Sequence, residues 1–561
     1  MHQALCPTSH LDTFTRDRLP PAEQWPLFIF DRLEVQYPPQ LNCVQALLDS
    51  HVIQGRGSRM ALRGVDATGP IEWTYAQLQA KVNQIAHVLV HDMGLKSGER
   101  LLLRGGNSPM MAASFLAALK SGLVVVPTMP LLRAAELKQM IDKAQVSAAL
   151  CDSLLSEELA HCGDSAHQHF APSLKQVLWF RSDDLAGLET RMAKHATVFD
   201  AHPTSRDDVC LIAFTSGTTG QPKGTMHFHR DILAMCDLFP KHVLKMDETD
   251  VVCGTPPIAF TFGLGGLLAF PLRYGACALL LEKYTPESLL VAVDKYGATQ
   301  CYTAPTMYRQ MALLVTEKPG AWRLQTLKHT VSAGEALPDA TRQLWKKATG
   351  IEMTDGIGGT EVIHIYIASA GHEVRAGSIG KVVPGYQAQI VDEDMNPVPP
   401  GTLGRLAVRG PTGCRYLDDP RQKDYVKSGW NLPGDTFVMD ADGYFSYQAR
   451  NDDMIISAGY NIAGPEVEGA LMQHPAVAEC GVVGAADLER GQVVMAFVVL
   501  KKGESGSPAL EKEIQEFVKQ TIAPFKYPRR VVFCDTLPRT ETGKLQRFKL
   551  RQQAPAFNSE K

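Results

Sequence analysis

The chain has 561 residues, a length that exceeds a single hydrophobic core and predicts about two to four domains or subdomains. Its 45% hydrophobic and 21% charged content is ordinary for a soluble globular enzyme. The net charge of -4 gives no basic surface for nucleic acid, so no nucleic-acid partner is expected. The 12 cysteines form no Cys-x-x-Cys pair and no zinc spacing, which indicates buried thiols in a reducing compartment.

The sequence predicts a cytoplasmic protein without a membrane span. Residues 1–6 carry no basic-then-apolar signal for secretion. The longest uncharged stretch, residues 251–272, is long enough to raise the question of a membrane helix. Pro256, Pro257 and Pro271 interrupt it, so the stretch predicts a buried strand, loop and helix.

The first 450 residues predict a large α/β domain. Residues 1–50 are irregular and rich in proline, and helical patterns begin at residues 42–48 and 76–91. From Glu99 onward short apolar strands alternate with helices. The strands are predicted at residues 101–103, 123–126, 146–151, 209–215, 276–281, 299–302 and 327–331, and the helices at residues 110–119, 134–144, 286–296, 305–314 and 338–347. This alternation predicts doubly wound, parallel sheets.

The pattern changes at Gly385. Residues 387–391 and 405–409 predict a small antiparallel, barrel-like β subdomain. After Arg450 a compact α+β tail follows, with helices at residues 465–474 and from 509, and strands at residues 476–483 and 493–500. We therefore predict an N-terminal domain of residues 1–450 and a smaller, mobile C-terminal domain of residues 451–561.

A glycine-rich loop directly follows the predicted strand 209–215. It reads Thr215-Ser-Gly-Thr-Thr-Gly-Gln-Pro-Lys-Gly224. Glycines allow tight turns with exposed N–H groups that bind anions, and the hydroxyls and Lys223 add further donors. The loop predicts a phosphate site. It is not a Walker A loop, which needs Gly-Lys-Ser/Thr, and the runs at 263–265 and 356–358 lack the closing glycine of the dinucleotide fingerprint.

The loop resembles the signature loop of acyl-adenylate-forming enzymes, the family of acyl-CoA synthetases, peptide-synthetase adenylation domains and firefly luciferase. Further segments resemble that family in its order: Ser332-Ala-Gly-Glu-Ala336, Asp355-Gly-Ile-Gly-Gly-Thr-Glu361, Pro433-Gly-Asp435, Arg450-Asn-Asp-Asp453 and Leu537-Pro-Arg-Thr-Glu-Thr-Gly-Lys544. The resemblance covers residues 60–550. It implies an AMP-forming acid–thiol ligase that uses ATP, Mg²⁺ and coenzyme A.

The resemblance also implies residue roles. Lys544, Thr360 and Glu361 would be catalytic, with Lys544 bridging the carboxylate and the α-phosphate and Glu361 binding Mg²⁺. Asp435 would accept hydrogen bonds from the ribose hydroxyls, and Asp452 would be the hinge of the C-terminal domain. The implied nucleotide- and CoA-binding residues are Thr215, Ser216, Gly217, Thr218, Thr219, Gly220, Lys223, Ser332, Gly334, Glu335, Asp355, Gly356, Ile357, Gly358, Thr360, Asp435, Arg450, Asp452, Gly459 and Lys544.

The implied acyl pocket resembles that of aryl-CoA ligases. It would be lined by Ala259, Phe260, Ala333, Gly334, Ile357, Gly358 and His364. Aliphatic Ile357 stands where the family usually has an aromatic residue, which resembles the enzymes that activate benzoates. Residues 12–26 resemble 2-aminobenzoate-CoA ligases. His364 would flank the ring, hydrogen-bond a substituent or be purely structural; Glu335 and His364 are the candidates for an ortho amine.

These features predict a CoA ligase for a benzoate-type acid, with 2-aminobenzoate as the leading substrate. Alternatives are a ligase for another ring-substituted benzoate, a stand-alone enzyme that loads an aryl acid onto a carrier protein, a luciferase-type oxygenase and a non-catalytic nucleotide-binding regulator. A serine hydrolase is not expected because Gly-x-Ser-x-Gly is absent from the sequence. A monomer and a homodimer both remain open.

Overall fold

The fold was analysed in a computed structural model, which describes residues 4–66, 69–182, 186–215, 222–450, 453–457, 460–487, 490–522, 524–539 and 545–554. The strands are β1 Met60–Asp66, β2 Gly69–Thr74, β3 Arg100–Arg104, β4 Val124–Thr128, β5 Ala148–Asp152, β6 Gln176–Phe180, β7 Val209–Thr215, β8 Lys223–Phe228, β9 Val251–Gly254, β10 Cys277–Leu279, β11 Gln300–Thr303, β12 His329–Ser332, β13 Met353–Gly358, β14 Ile365–Ala368, β15 Lys381–Val382, β16 Gln387–Val391, β17 Leu403–Arg409, β18 Val426–Lys427, β19 Trp430–Asn431, β20 Asp435–Met439, β21 Phe445–Arg450, β22 Met454–Ser457, β23 Tyr460–Ala463, β24 Val477–Asp487, β25 Gly491–Leu500 and β26 Arg530–Phe533.

The α-helices are α1 Phe14–Asp17, α2 Ser50–Ile53, α3 Tyr75–His87, α4 Pro109–Lys120, α5 Ala134–Ala144, α6 Ser156–Gly163, α7 Leu188–Met192, α8 His229–Phe239, α9 Thr261–Leu264, α10 Phe270–Tyr274, α11 Pro286–Tyr296, α12 Pro305–Glu317, α13 Asp339–Thr349, α14 Gln422–Tyr425, α15 Gly464–Leu471, α16 Pro508–Thr521 and α17 Arg547–Gln553. None of the described helices is long and apolar enough to cross a membrane.

Two large sheets form the centre of the molecule. One has nine strands in the order β15-β14-β13-β12-β11-β9-β10-β1-β2, and the other has six in the order β6-β5-β3-β4-β7-β8. Their inner strands run parallel, as the alternation of strands and helices predicts. Helix α4 is buried along its whole length in the core that the two sheets share. Its apolar circumference is typical of a helix enclosed on all sides.

The edges of both sheets differ from the purely parallel arrangement that the sequence predicts. β8 pairs antiparallel with β7, and β14 and β2 pair antiparallel with β13 and β1. The physical reason is the length of the connections, because antiparallel neighbours can be joined by a tight turn whereas parallel neighbours need a long crossover. Only residues 216–222 separate β7 from β8.

Two smaller sheets follow in the chain. Strands β16 to β21 form an antiparallel sheet, as predicted for the region after Gly385. Strands β22 to β26 form a mixed sheet that packs on α15 and α16 around its own core. The observed class is therefore α/β with a smaller α+β unit, as predicted. The placement of the domain boundary at residue 450 stays a prediction.

Candidate active site

The predicted phosphate, adenine and acyl segments begin where strands end. β7 ends at Thr215, β12 at Ser332 and β13 at Gly358, all at carboxyl ends of parallel strands. Ser332 and Asp355 are direct neighbours in the pairing of β12 with β13. Open α/β sheets bind ligands in the crevice outside these ends. The fold therefore collects three motifs that are far apart in the sequence.

His227 connects the two large sheets at this crevice. It lies in β8, and its Nε2–H donates a hydrogen bond of 2.8 Å to the carbonyl oxygen of Thr360, which follows β13. The imidazole is completely buried, so water does not compete for this bond. His227 thereby fixes the backbone of the Thr360–Glu361 motif against the strand that leaves the glycine-rich loop.

The turn after Thr360 carries a strained backbone. Ile363 has φ of 72°, a left-handed conformation that is rare for a β-branched residue. Such strain persists only where the surroundings hold the residue in place. Here Thr412 donates to the carbonyl oxygen of Val362 at 2.8 Å, one residue before the strained position. The turn that presents Glu361 is therefore anchored on both sides.

Glu361 has two partners in the described structure. The hydroxyl of Tyr416 donates to Oε1 at 2.6 Å, and the ammonium of Lys223 lies 3.8 Å from the same oxygen. No three His, Cys, Asp or Glu side chains of the described residues form a group that could hold a metal ion. A divalent cation would thus find one protein carboxylate here. Mg²⁺ is commonly held by one or two carboxylates together with substrate phosphates, so Glu361 fits that ion.

Residues 414–417 bring Tyr416 to Glu361. They run beside β8, where Met226 N–H donates to Arg415 O and Leu417 N–H donates to Gly224 O, each at 2.8 Å. The Arg415 guanidinium forms an ion pair with Asp231, and both side chains are completely buried. Loss of one partner of such a pair would leave an uncompensated charge in the core. The pair therefore pins this segment to the first turn of α8, the helix that directly follows β8.

Asp355 has an unusual environment at the end of β13. Burial raises the pKa of its carboxyl group to about 7, and the nearby Arg342 and the backbone N–H of Gly356 oppose that rise only in part.

The predicted ribose residues lie in the third sheet. Asp435 and Arg450 are direct backbone neighbours in β20 and β21, and Asp435 is buried.

The predicted acyl pocket is built around the loop after β9. Asn107 holds this loop, accepting a hydrogen bond from Ile258 N–H at 2.8 Å and donating one to Pro256 O at 3.0 Å. Ala259 and Phe260 follow directly, and the ring of Phe260 remains partly exposed. The Asn107 side chain thus fixes the wall of the pocket from a distant part of the chain.

His364 lies behind this loop in an aromatic enclosure. The rings of Phe239, Phe262 and Phe270 surround it with centroid distances of 5.7, 5.8 and 4.5 Å. Gly265 is needed for this packing, since a Cβ there would lie 2.4 Å from the imidazole. Burial lowers the pKa of His364 to about 3, so the ring is neutral. Its Nδ1 has no hydrogen-bond partner among the described residues.

The C-terminal segment reaches the crevice through Arg539. Its guanidinium lies 3.5 Å from Glu335 Oε1 in the loop after β12 and 3.0 Å from Glu479 Oε2 in β24. Thr306 donates to the other oxygen of Glu335 at 3.1 Å. Glu335 is thus engaged by protein groups. Arg539 thus joins the segment 524–539 to the loop after β12.

Two family descriptions match this chain. Residues 50–415 match the AMP-binding enzyme family, and residues 466–544 match the C-terminal domain of AMP-binding enzymes. The chain belongs to the AMP-binding enzyme family. The predicted acyl-adenylate-forming family, the enzymatic nature and the ligase class of this AMP-binding enzyme are thereby confirmed.

Known relatives of this AMP-binding enzyme include aryl-CoA ligases. It is 34% identical to the benzoate–CoA ligase of Thauera aromatica over 527 residues, which cover 92% of this chain and 97% of the relative. The crystal structure of the anthranilate CoA ligase AuaEII in complex with anthranoyl-AMP superposes with a TM-score of 0.86 at 31% identity, covering 93% of this chain and 99% of the other. The crystal structure of a benzoate CoA ligase from Burkholderia xenovorans LB400 superposes with a TM-score of 0.80 at 31% identity, covering 91% of this chain and 100% of the other.

The AMP-binding enzyme brings together many of the predicted site residues. Thr215, Lys223, Ser332, Asp355, Thr360 and Glu361 lie at adjoining strand ends and turns, and Glu335 and His364 adjoin them. The remaining predicted positions Ser216, Gly217, Thr218, Thr219, Gly220, Asp452, Gly459 and Lys544, together with the Arg450 side chain, lie outside the described residues. The roles assigned to all these residues stay predictions.

Sequence reasoning missed Tyr416, His227 and Asn107. Each contacts a motif that is at least 55 residues away in the chain. The shortest of these separations is the one between Tyr416 and Glu361. Tyrosine, histidine and asparagine at such positions form no local pattern.

Substitution of Asp355 by asparagine tests its raised pKa. The Asp355 carboxyl group has a pKa of about 7 in the folded state and of about 4 in the unfolded state. Its ionisation therefore lowers the free energy of unfolding as the pH rises from about 4 to 7. An asparagine side chain at this position would not ionise. We therefore expect Asp355→Asn to raise the apparent Tm more at pH 8 than at pH 5, as measured by differential scanning fluorimetry.

The matched control is Asp394→Asn, which changes an exposed aspartate. Its effect on the apparent Tm should be small at both pH values. An effect of Asp355→Asn that is the same at pH 5 and pH 8 would contradict the raised pKa.

Proposed function

We propose that this AMP-binding enzyme is an ATP-dependent acid–CoA ligase for an aromatic carboxylic acid, with 2-aminobenzoate as the preferred substrate. The acid and ATP would form acyl-AMP and pyrophosphate, and the CoA thiol would then displace AMP. The observation that carries the substrate class is the packing of neutral His364, a predicted pocket residue, among the rings of Phe239, Phe262 and Phe270. The similarity to an anthranilate CoA ligase supports it, because anthranilate is 2-aminobenzoate.

The charges at the crevice suit adenylation. A carboxylate that attacks the α-phosphate brings like charges together, so the protein must supply cationic groups and oriented dipoles. Lys223 lies 3.8 Å from Glu361 Oε1 and supplies one cationic group, and Lys544 would contact the substrate carboxylate. Glu361 would hold Mg²⁺, whose charge would offset that of the phosphates. Orientation of the two reactants would contribute further to the rate.

His364 supports an ortho-substituted ring. A neutral imidazole can accept a hydrogen bond at the nitrogen that carries no proton. Its Nε2 lies 3.4 Å from Phe262 O, where it would act as the donor, and this leaves Nδ1 as the acceptor. An aromatic amine can donate to it. Glu335 is the weaker candidate because Arg539 and Thr306 already engage it.

Two alternatives share this site. A stand-alone enzyme that loads an aryl acid onto a carrier protein would need the same adenylation residues. A ligase for another ring-substituted benzoate would need the same aromatic enclosure. The thiol acceptor and the ring substituent therefore distinguish them, and both can be varied in one assay.

A substrate panel tests the proposed function. AMP release that depends on both ATP and CoA should be fastest with 2-aminobenzoate and benzoate. It should be slower by about tenfold or more in kcat/KM with fatty and amino acids, because the predicted pocket residues are apolar and suit an aromatic ring. Preference for a fatty acid, or for a holo-carrier protein over CoA as acceptor, would refute the proposal.

Lys544→Ala tests the predicted adenylation lysine. Acid-dependent pyrophosphate release should fall by about a hundredfold or more, because one charge-stabilising donor is removed from the transition state. Thioester formation from supplied acyl-AMP should be largely preserved. Lys549→Ala, which changes an exposed lysine of the same basic stretch, is the control and should retain both steps. An equal loss of both steps in Lys544→Ala would contradict the assignment.

His364→Leu tests the ortho-amine contact. Loss of one hydrogen bond should lower kcat/KM for 2-aminobenzoate by about tenfold, whereas benzoate, which has no such donor, should be affected much less. Phe270→Leu is the matched control, because it loosens the packing on His364 without removing its nitrogen atoms. The control should affect both acids alike. Equal effects of His364→Leu on both acids would assign His364 a structural role only.

A further inference from the structure

We propose that Tyr416 is a positioning residue that orients the Glu361 carboxylate for the divalent cation that accompanies ATP. This inference rests on the proposed function, because it assigns that cation to Glu361. Its basis is the hydrogen bond of 2.6 Å from the Tyr416 hydroxyl to Glu361 Oε1. Neither the glycine-rich loop nor the Thr360–Glu361 motif contains Tyr416, which lies 55 residues beyond Glu361 in the chain.

Tyr416 is held in place independently of Glu361. Its backbone forms a bridge with Thr225 of β8, and its N–H donates to Gln422 Oε1 at 2.8 Å. The residue is only 1% exposed, and its ring packs edge-on against Tyr425 at a centroid distance of 5.8 Å. The position of the hydroxyl is therefore set by the fold.

The hydroxyl of Tyr416 is an uncharged donor. Its O–H donates to Glu361 Oε1 at 2.6 Å, so the proton points at the carboxylate. A neutral donor can orient a carboxylate oxygen without cancelling its negative charge, and that charge is what a hard divalent cation requires.

Lys223 acts differently on the same carboxylate. Its ammonium lies 3.8 Å from Glu361 Oε1, which is within ion-pair range but too long for a hydrogen bond. It also lies 5.0 Å from the centroid of the Tyr416 ring. A cation next to Glu361 would oppose the binding of a second cation, so Lys223 must turn toward phosphate when the site is loaded. The Tyr416 hydroxyl is uncharged and does not repel the cation, so it can keep its hydrogen bond to Glu361 when the cation binds.

The geometry leaves one carboxylate oxygen for the cation. Tyr416 occupies a lone pair of Oε1, whereas no described residue donates a hydrogen bond to Oε2. Without the hydroxyl, the Glu361 side chain would be free to rotate, and it would lose this conformational freedom only when the cation binds. The expected consequence is weaker metal binding with the nucleotide site otherwise intact.

Tyr416→Phe tests this inference because it removes the hydroxyl and keeps the ring. Mn²⁺ binding to the enzyme with saturating non-hydrolysable ATP analogue would be followed by electron paramagnetic resonance. We expect the Kd for Mn²⁺ to rise by about tenfold, as for loss of one hydrogen bond to a charged group. Binding of the nucleotide without metal and the apparent Tm should stay close to those of the wild type.

Tyr308→Phe is the control, since it removes the hydroxyl of another completely buried tyrosine, which donates to the carbonyl oxygens of Cys301 and Val331. It should leave the Kd for Mn²⁺ unchanged. A double-mutant cycle with Glu361→Gln adds a second criterion. If Tyr416 acts through the carboxylate, Tyr416→Phe should have no further effect on Mn²⁺ binding in the Glu361→Gln background. An unchanged Kd, additive effects or a fall in Tm in both backgrounds would overturn the inference.

These measurements separate this inference from the proposed function. Mn²⁺ binding is measured with nucleotide alone, without an acid or CoA. Weaker Mn²⁺ binding in Tyr416→Phe together with no acid activation in the substrate panel would uphold the inference and refute the function. Acid activation with an unchanged Kd in Tyr416→Phe would uphold the function and overturn the inference. In active enzyme, the Mg²⁺ concentration for half-maximal rate should rise while KM for the acid stays constant.

Discussion

The buried ion pair between Arg415 and Asp231 is the constraint on which the site depends. Two charges that are removed from water must stay together, because separating them would leave one uncompensated in the core. The pair fixes residues 414–417 to the start of α8, and backbone hydrogen bonds hold them beside β8, which delivers Tyr416 to Glu361. β8 also carries His227, which holds Thr360 from the other sheet. One short strand thus connects the glycine-rich loop, the Thr360–Glu361 turn and the segment around Tyr416.

The crevice separates charge by region. Lys223 is the cation next to Glu361, at 3.8 Å from its Oε1, and the carboxylate of Asp435 lies in the third sheet. The predicted acyl pocket is different, because His364 is neutral and three aromatic rings enclose it. The charged groups suit polyphosphate chemistry, whereas the surroundings of His364 are uncharged and apolar. A substrate with a carboxylate on a flat apolar body would place each end in its matching environment.

The fold was predictable where one local pattern dominates. The bounds of β7, α5 and α11 follow from an apolar run before glycines and from helical periodicity between clear breakers, and the structure confirms them. The strands β1 and β8 were not predicted, because Arg63 and His227 interrupt any simple apolar alternation. β8 becomes a strand because β7 offers it a partner across a short loop.

The sequence by itself determined the order of the motifs and the kind of chemistry, since glycine, hydroxyl and lysine spacing in a loop is a local property. It also placed Glu361 and His364 among the candidate residues. Only the tertiary structure decided the environments that tune them: the hydroxyl of Tyr416 on Glu361, the neutral state of His364 and the raised pKa of Asp355. The physical reason is that burial and hydrogen bonding arise between segments far apart in the chain, so no local pattern can encode them.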